Sequence, residues 1–413
     1  MMEDTEIVGK KEAETPLVSV VVLAYNHLDY TKLCIESLYR YTTDVDFELI
    51  TVNNGSTDGT EEYFNSLPNE KKLNFSENIG VDKAVNQGFR MAQGKYTLNL
   101  SNDIVVTSHW LSNLIACMES DDKIGMVVPV CGFSSNNQQV NLYYHTLEEM
   151  QLIAQVYNKS NPDLWEERMK LVTYTCLFRT DVQKAIGGFD EDFNPGAYDD
   201  DAISFRIRRM GYRLILAKDT YVHHFGSVTF NAEYAKNNLA QRNMRLFMQK
   251  FGVNSWVASM IDFHVVDIAD YSPRGEICIL GIGSSCGPTL LQIKNRFRSK
   301  GVRDVKLFYL SDQESSMPDL RSICDTCVCA SDKELEEHFG SRLYDIAVVE
   351  SETDKLQNPG RFFDSLSRLL KKNGQLILTA PAAFYPKAAQ LLEEREFVLS
   401  KSAREYYYAF TKQ

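Results

Sequence analysis

Two short acidic stretches, well separated along the chain, contain the residues best suited to catalysis. The first spans residues 101–103 and ends in Asp103. The second is Asp199–Asp201, and two histidines, His223 and His224, follow it. Hard divalent cations prefer oxygen ligands, a carboxylate can take a proton from a hydroxyl group, and a histidine can complete a coordination shell. These residue types therefore predict cation-assisted transfer of a group from a diphosphate.

The elements around these residues must bring them together. From Leu17 onward, short apolar runs alternate with amphipathic helical patterns, which predicts a mostly parallel sheet with helices on both faces. Ligands collect at the carboxyl ends of strands in such sheets, and Asp103 follows a predicted strand. The polar loop 53–60 should cap a helix at Ser56 or Thr57. The predicted elements are the strands Val18–Ala24, Phe47–Val52 and Lys95–Leu100 and the helices Tyr30–Tyr41, Val81–Ala92 and Ala202–Met210.

The rest of the chain divides into an insertion, a junction and a second α/β unit. Residues 132–170 are polar and irregular, and an insertion of this length is usually functional. A long helix, Asn231–Phe251, should end at Gly252, and a junction over 253–273 follows it. In the second unit we predict strands at Glu276–Leu280, Tyr344–Val349 and Gln375–Thr379, helices at Pro288–Arg298 and Phe362–Leu370, and a glycine-rich turn over 281–287.

The composition limits the partners of the protein. The 413 residues carry a formal net charge of −12, which argues against nucleic-acid binding and limits any membrane contact to a peripheral one. A basic cluster within this acidic background is interpreted as a solvated helix face. Its members are Arg206, Arg208 and Arg209.

The cysteines and the apolar runs of the sequence indicate the cellular compartment of the protein. Neither a signal peptide nor an apolar run of membrane length is recognisable, and the nine cysteines have no framework spacing. We therefore expect a cytoplasmic protein. We also expect Cys324, Cys327 and Cys329 to be free thiols, because a fourth zinc ligand does not follow them at a suitable spacing.

Residues 17–252 resemble the inverting family-2 glycosyltransferases of the GT-A fold. The similarity follows the order of the family's motifs, from an opening strand and nucleotide loop to an acceptor-side motif with the base. The resemblance implies a Rossmann-like α/β domain that transfers a sugar from a nucleoside diphosphate with inversion. The segments that carry it are 18–26 (VSVVVLAYN), 53–60 (NNGSTDGT), 78–80 (NIG), 86–88 (NQG), 101–103 (SND), 187–191 (GGFDE) and 199–200 (DD).

The resemblance also implies a role for each matching residue. Asp200 is the expected general base, and Asp199 is expected to support it. Asp103 is expected to hold Mn²⁺ or Mg²⁺ with a histidine, and the family's spacing favours His224 over His223. The expected nucleotide-sugar contacts are Ala24, Tyr25, Asn26, Asn53, Asn54, Asn78, Lys83, Ser101, Asn102 and Asp103.

Two positions depart from the family's pattern. Ser101 stands where the first aspartate of the metal motif is usual, so metal affinity should be modest. Asn53 stands where many relatives have aspartate, but its carbonyl can accept from N3–H of uracil or thymine. We therefore expect a UDP- or dTDP-sugar. The helix after Gly226 is either a lid over the diphosphate or a solvated face, and its polar residues are Lys236, Gln241, Arg242 and Arg245.

Residues 274–413 resemble the class I S-adenosylmethionine-dependent methyltransferases. The segments that carry this resemblance are 279–283 with Gly287, then 344–350 and 369–376. Gly281 stands where the family has an acidic residue, and Ser285 stands where it has glycine. These positions serve the methionine amine and the close approach of the cofactor. We therefore expect a degenerate Rossmann-like domain without S-adenosylmethionine, used for homodimerisation or for acceptor docking.

These inferences combine into one functional expectation. After a disordered tail over residues 1–16, we expect a bacterial glycosyltransferase that moves a sugar from a UDP- or dTDP-sugar to a hydroxyl group. The acceptor would be a glycan, a lipid-linked glycan or a protein such as flagellin. The alternatives are a bifunctional glycosyltransferase–methyltransferase and a non-catalytic scaffold with a sugar-nucleotide fold.

Overall fold

The computed structural model describes residues 15–226, 238–272, 275–350 and 353–413. Within these ranges the chain forms two α/β units, each built on its own sheet. The predicted tail lies almost entirely outside the described residues, as does the first part of the predicted helix Asn231–Phe251. None of the described helices is both long enough and apolar enough to cross a membrane.

The first unit contains a sheet of nine strands among the described residues. Its strands are β1 (Val18–Ala24), β2 (Phe47–Asn54), β3 (Lys71–Phe75), β4 (Tyr96–Ser101), β5 (Ile104–Val105), β6 (Ile124–Cys131), β7 (Trp165–Glu167), β8 (Thr175–Arg179) and β9 (Arg213–His224). Its helices are α1 (Leu28–Tyr41), α2 (Thr60–Ser66), α3 (Val81–Met91), α4 (Trp110–Glu119), α5 (Leu147–Tyr157), α6 (Thr180–Ile186) and α7 (Asp199–Arg209).

The strand order explains how the candidate residues meet. The order is β3-β2-β1-β4-β8-β6-β9-β5, and β7 pairs with residues 215–217, in the first half of β9. The strands β2, β1 and β4 are parallel neighbours, and Ala24 of β1 lies opposite Asn53 of β2. The strand β8 runs antiparallel to β4, so that its start lies beside the end of β4. The loops after β1, β2 and β4 and the loop before β8 therefore share one edge.

Continuous burial explains why the central strands form. Every residue of β6 is buried, and in β1 only Leu23 is partly exposed. Strands covered by helices on both faces are apolar on both faces, in contrast to the alternating pattern of half-exposed strands. The apolar run from Val20 to Val22 therefore favours an interior strand, and β1 has the predicted bounds.

Three helices link the two units, and the second sheet follows them. The linking helices are α8 (Leu239–Phe251), α9 (Ser255–Ser259) and α10 (Phe263–Ile268). The strands of the second sheet are β10 (Ile277–Gly283), β11 (Val305–Ser311), β12 (Thr326–Cys329), β13 (Tyr344–Val349), β14 (Leu370–Thr379), β15 (Phe397–Ala403) and β16 (Tyr407–Lys412). Its helices are α11 (Pro288–Arg298), α12 (Met317–Leu320), α13 (Leu335–Phe339), α14 (Pro359–Leu369) and α15 (Tyr385–Glu393).

Of the described strands in the second sheet, only β16 runs against the direction of the others. Its order is β12-β11-β10-β13-β14-β16-β15, with β16 antiparallel to both β14 and β15. The strand β10 is central, with β11 on one side and β13 on the other. The glycine-rich turn at the end of β10 therefore lies at the topological switch point, where the strand order reverses. The resemblance of this unit to methyltransferases stays a prediction.

Two local predictions are wrong. The segment 132–170 is not irregular throughout, because it contains the helix α5 and the strand β7. Thr146 caps the first turn of α5, and its side chain accepts a hydrogen bond from the backbone N–H of Glu149. The helix α2 is capped by Gly59 rather than by Ser56 or Thr57. The hydroxyl group of Ser56 instead accepts a hydrogen bond from the backbone of Asn26.

The prediction of a solvated arginine face on α7 is also wrong. Arg208 is only 2 % exposed, and its Nη2 lies 2.9 Å from Oδ1 of Asp319, which is fully buried. Arg209 binds the other carboxylate oxygen of Asp319 at 2.7 Å. Asp319 lies in α12 of the second unit, so these ion pairs join the two units. The sequence pattern gave no sign of this partner, because it lies more than a hundred residues away.

The buried contacts across the boundary are apolar as well as ionic. Met169 and Phe205 of the first unit belong to the same buried apolar cluster as Leu290 and Leu320 of the second. The side chain of Asn295 bonds both the N–H and the C=O of Glu167, at 3.1 and 2.9 Å. Because β7 pairs with β9 alone and is an edge strand, this buried contact satisfies backbone groups of Glu167 that the sheet leaves unpaired.

Removal of Asp319 should destabilise the whole chain. In Asp319→Ala, the guanidinium group of Arg208 stays buried without its counter-ion, and such losses cost about 3–5 kcal/mol. The free energy of unfolding from urea titrations measures the effect. The exposed pair Arg296–Asp267, at 2.9 Å, provides the matched control, and Asp267→Ala should cost less than about 1 kcal/mol. Equal losses in the two variants would contradict the proposed importance of the buried pair.

Candidate functional site

The loops after β1 and β2 are tied together by hydrogen bonds between side chain and backbone. The backbone N–H of Thr57 donates to Oδ1 of Asn26 at 2.8 Å, and the N–H of Leu28 donates to Asp58 at the same distance. Asn26 adopts a left-handed conformation, with φ 57°, which asparagine tolerates better than most residues. Asn26 therefore shapes the first loop of the candidate nucleotide site.

Asn53 and Asn54 have different surroundings, although both are buried. The carbonyl oxygen of Asn53 accepts from the N–H of Ser56 at 3.0 Å, and its amide nitrogen is buried without a partner among the described residues. Asn54 is fully engaged, because its amide binds Asn78 and its carbonyl accepts from Ile79, each at 3.0 Å. The free group of Asn53 is thus a hydrogen-bond donor, whereas its carbonyl was the group expected to meet a base.

The remaining predicted nucleotide contacts differ in exposure. Ala24 is buried at the end of β1, Tyr25 and Ser101 are half-buried, and Lys83 is exposed on α3. The amide of Asn102 donates to the hydroxyl group of Thr31 at 2.9 Å, which attaches the loop after β4 to α1. The fold thus gathers these residues around one edge, with Lys83 at its periphery.

Asp103 and His224 form a close pair. Oδ2 of Asp103 lies 3.2 Å from Nε2 of His224, and Nδ1 of the same ring lies 2.7 Å from the carbonyl oxygen of Phe133. A carbonyl only accepts, so Nδ1 carries a proton and Nε2 faces the carboxylate. Burial lowers the pKa of His224, but the hydrogen bonds with Asp103 and Cys131 and the charges of these two groups together outweigh burial and raise the pKa to about 10. In the free protein, a proton holds the pair together.

The same pair is suited to a divalent cation. Adjacent ligands of an octahedral magnesium-sized ion lie about 3 Å apart, close to the observed separation of the two atoms. A metal-binding histidine commonly donates its other ring nitrogen to a backbone carbonyl, as His224 does to Phe133. Among the described residues, however, no group of three or more histidine, cysteine, aspartate or glutamate side chains is placed to hold a metal ion. The remaining ligands of a cation would have to come from substrate or water.

His223 is placed differently from His224. Its Nδ1 lies 2.5 Å from the hydroxyl group of Tyr144, and its Nε2 is buried without a partner among the described residues. Burial and the neighbouring His224 lower the pKa of His223 to about 4, which keeps the ring neutral near pH 7. Tyr144 also bonds Tyr221 at 2.7 Å, so a residue of the 132–170 segment packs against this site.

The acidic start of α7 forms the second half of the site. Asp200 accepts hydrogen bonds from both the backbone N–H, at 3.0 Å, and the hydroxyl group of Thr173. Asp201 points away toward Lys170, at 2.5 Å, and also contacts Ser255. The N–H of Ser101 donates to the carbonyl of Tyr174 at 3.0 Å, so the segment that holds Asp200 lies beside the end of β4. Asp200 and Asp103 therefore lie at the same edge of the sheet.

The pKa values in this acidic cluster are shifted upward. Burial raises the pKa of Asp200 to about 6, although the hydrogen bonds from Thr173 oppose the shift. Burial, together with the charges of Asp200 and Asp82, raises the pKa of Asp199 well above its ordinary value. A carboxyl group whose pKa lies near 6 is suited to general base catalysis near neutral pH.

The loop before α7 is held by two residues of α8, Arg242 and Asn243, of which the sequence analysis missed Asn243. Asn243 of α8 is fully buried, and its amide nitrogen lies 2.8–2.9 Å from three carbonyl oxygens of this loop. Arg242 reaches the carbonyl oxygens of Asp192 and Asn194 at 3.2 and 3.4 Å. Thr173 and Asn243 are ordinary polar residues in the sequence, and only their tertiary contacts identify them. Lys236 of the predicted lid lies outside the described residues.

The glycine-rich turn of the second unit is filled by its own side chains. A Cβ atom added to Gly281 would lie 2.5 Å from the side chains of Leu290 and Tyr309, so an acidic residue there would require both side chains to move. Glu350 accepts hydrogen bonds from the hydroxyl groups of Ser285 and Tyr309 at 2.7 and 2.5 Å. These residues do not fit S-adenosylmethionine, and no methyl-transfer step follows from them. The cysteines at 324, 327 and 329 are free thiols in the structure.

Comparison with known proteins finds a family model that matches part of this chain. Residues 19–185 match the family model for glycosyl transferase family 2. This match and the mixed α/β sheets confirm the predicted GT-A-like fold class, with a second α/β domain after it. The match also supports a transferase domain of this family.

The individual relatives are distant. A validoxylamine A glucosyltransferase of Streptomyces hygroscopicus subsp. jinggangensis is 23 % identical over 235 residues, covering 51 % of this chain and 55 % of the relative. An uncharacterized glycosyltransferase of Rickettsia typhi is 29 % identical over 185 residues, covering 44 % and 56 %. The chain thus spans about half the length of the curated relatives it matches.

Similarity to solved structures is looser still. A mannosyltransferase of Pyrobaculum calidifontis, solved with GDP-Man and Mn²⁺, is 20 % identical, with a TM-score of 0.41. The alignment covers 58 % of this chain and 64 % of that protein. A similarity at this level does not extend to ligands or mechanism.

The raised pKa values make stability depend on pH in a defined direction. Asp199 titrates above its ordinary value of 3.8 in the folded protein, so that the folded state retains a proton which the unfolded chain has released. Stability should therefore fall as pH rises above about 4. Asp199→Asn removes this dependence, and its melting temperature should fall less than that of the wild type between about pH 5 and 8.

The control for this prediction is Asp122→Asn. The side chain of Asp122 is fully exposed, so its removal should leave the pH dependence of the melting temperature unchanged. If Asp199→Asn shows the same slope as the wild type, Asp199 does not retain a proton on folding.

Proposed function

We propose that this protein transfers a sugar from a nucleoside diphosphate to a hydroxyl acceptor, with inversion at the anomeric carbon. The observation that carries this proposal is the recessed carboxylate of Asp200, held by Thr173 at the sheet edge that also bears the Asp103–His224 pair. The match of residues 19–185 to glycosyl transferase family 2 supports it, as does the name of the glucosyltransferase relative.

In this mechanism, Asp200 acts as the general base. Its carboxylate takes the proton of the acceptor hydroxyl group as that oxygen attacks the anomeric carbon from the face opposite the diphosphate. The new carbon–oxygen bond forms, the bond to the diphosphate oxygen breaks, and the diphosphate leaves with the electron pair. Thr173 fixes the orientation of Asp200 through its two hydrogen bonds, and Asp199 is the adjacent acid that would support it.

Asp103 and His224 would hold a divalent cation, Mn²⁺ or Mg²⁺. When bound, the cation supplies positive charge that neutralises the leaving diphosphate without proton transfer. The tautomer of His224, with Nδ1–H donated to Phe133, directs Nε2 toward this position. Ser101 adds no charge to the site, which supports the expectation of a modest metal affinity.

The nucleotide would lie along the ends of β1 and β2. Asn53 is the residue that supports a base contact, because its buried amide nitrogen lacks an acceptor among the described residues. Uracil and thymine carry carbonyl groups that can accept from this nitrogen, so a UDP- or dTDP-sugar stays our proposal. The acceptor and a cytoplasmic location stay predictions.

A thermal-shift panel tests the proposed function directly. UDP-, dTDP- and GDP-sugars are added with and without Mn²⁺, because a ligand that binds the folded state raises the melting temperature by mass action. We expect a metal-dependent shift with a pyrimidine nucleotide sugar. A shift with S-adenosylmethionine alone would contradict the proposal and would favour the second unit as the active domain.

The two histidines should contribute unequally to metal binding. In His224→Ala, the Mn²⁺-dependent affinity for UDP should fall by about 10-fold or more, because one of two protein ligands is lost. In His223→Ala, the affinity should change less, because that ring faces Tyr144. Calorimetric titration of UDP with and without Mn²⁺ measures both. A larger loss of Mn²⁺-dependent affinity for UDP in His223→Ala than in His224→Ala would assign the metal to His223.

The rate of transfer should depend on the ionisation of Asp200. A general base must be deprotonated, so kcat/KM should fall about tenfold per pH unit below about pH 6. Thr173→Val removes a hydrogen bond that favours the charged carboxylate, which should move this limb of the profile to higher pH. Asp200→Asn should bind the donor and transfer nothing.

Thr175→Val is the matched control for Thr173→Val. The hydroxyl group of Thr175 is buried without a hydrogen-bond partner among the described residues, so its removal should leave the pH profile unchanged. A wild-type rate in Asp200→Asn, or an unmoved limb in Thr173→Val, would exclude Asp200 as the base.

A further inference from the structure

Asp82 is a buried acid without a protein partner. It lies in the first turn of α3 and is only 1 % exposed. Its Oδ2 atom has no hydrogen-bond partner among the described residues. Burial of an unpaired carboxyl group is costly and normally selects for a hydrogen bond or a counter-ion. The retention of an acid here therefore calls for an explanation outside the contacts of the folded chain.

The surroundings of Asp82 add to this cost. Burial and, to a lesser extent, the nearby charges of Asp200, Asp190 and Glu191 disfavour its charged form and raise its pKa to about 8. The lysines of this acidic cluster pair with other acids, because Lys250 binds Asp190 and Lys170 binds Asp201. No described residue neutralises Asp82.

A structural role at the helix terminus does not account for Asp82. Acids in the first turn of a helix interact favourably with its dipole, but this gain is small beside the cost of burial. The helix α3 has no side-chain cap, and Asp82 does not bond the free N–H groups of the first turn. Asn86 instead secures α3, because its amide donates to the carbonyl of Phe189 at 2.9 Å and its carbonyl accepts from the N–H of Phe189 at the same distance.

The position of Asp82 points to the donor sugar. The helix α3 follows the Asn78 loop, which Asn54 holds beside the proposed nucleotide site, and Asp82 lies near Asp200 on the other side. A sugar linked to a diphosphate at Asp103 and attacked by an oxygen activated by Asp200 would lie between them. Sugar hydroxyl groups are hydrogen-bond donors, and a carboxyl oxygen without a partner is a matching acceptor.

We propose that Asp82 binds hydroxyl groups of the donor sugar and selects a neutral sugar over one that carries a carboxylate. This proposal rests on the proposed glycosyl transfer and specifies its substrate class. A neutral sugar supplies the hydrogen bonds that Asp82 lacks. A uronic acid would bring one more negative charge into a cluster of acids, which disfavours it by repulsion.

Donor hydrolysis provides a test that needs no acceptor. Release of nucleoside diphosphate is measured with UDP- and dTDP-linked glucose and galactose, with UDP-N-acetylglucosamine and with UDP-glucuronic acid. The wild type should act fastest on a neutral donor. In Asp82→Ala, KM for that donor should rise about 10- to 100-fold, because a hydrogen bond to a charged or strongly polar group is lost. Affinity for the nucleoside diphosphate itself should stay within about twofold, since it lacks the sugar.

A second measurement separates a sugar-binding role from a structural one. Asp82→Asn keeps the size of the side chain and removes the proton uptake that folding requires of Asp82 near neutral pH, so the ligand-free variant should melt at a higher temperature than the wild type. Its preference for the neutral donor over UDP-glucuronic acid should fall. Asp192→Asn serves as the control, because Asp192 is exposed and paired with Lys250, and both readouts should stay at wild-type values.

The outcomes distinguish the two proposals. A wild type that neither binds nor hydrolyses any donor overturns the proposed function and this inference with it. An active wild type whose best donor is UDP-glucuronic acid overturns the inference alone. So does an Asp82→Ala variant with unchanged KM, or an Asp82→Asn variant that melts lower than the wild type with unchanged selectivity.

Discussion

The concentration of negative charge at the start of α7 is the constraint on which the rest of the site depends. Three consecutive aspartates occupy the first turn of this helix, and Asp82 approaches them from α3. Each acid is accommodated differently. Asp201 has a lysine, Asp200 has the two donors of Thr173, and Asp82 has no protein partner. Like charges confined in this way raise one another's pKa values, and the site thereby acquires a carboxyl group that can exchange protons near neutral pH.

The opposite end of the same helix carries compensating charge. Three arginines lie in the last turn of α7, where positive charge interacts favourably with the helix dipole. Arg206 donates to the carbonyl of Gly188 at 3.0 Å, and Arg208 and Arg209 share the carboxylate of Asp319. The helix therefore runs from an acidic pocket in the first unit to a buried ion pair in the second. Its position depends on both units, and so does the position of Asp200.

Local signals in the sequence predicted most elements but few of their partners. The bounds of β1 and α11 were predicted correctly, because a continuous apolar run and a proline at the first helical turn are local features. The environment of Arg208 was misjudged, because its partner lies far along the chain. Thr173 and Asp82 were missed because their roles depend on tertiary structure. Thr173 donates hydrogen bonds to Asp200, which lies far from it in sequence, and Asp82 is buried with an oxygen that has no partner among the described residues. The residues 101–103 and 199–200 were predicted from a family resemblance, and the structure places them at one edge of the sheet, while their roles stay a prediction.

The contact between the two units bears on how such a chain can change over evolutionary time. Domains joined in one sequence are often exchanged as modules when their boundary is polar and loosely packed. Here one apolar cluster continues across the boundary, and Asp319 neutralises two arginines of the other unit. Replacement of either unit by an unrelated one would leave a buried charge unmatched. The residues at 208, 209 and 319 are therefore expected to vary together among close homologues, and the two units to be inherited as a pair.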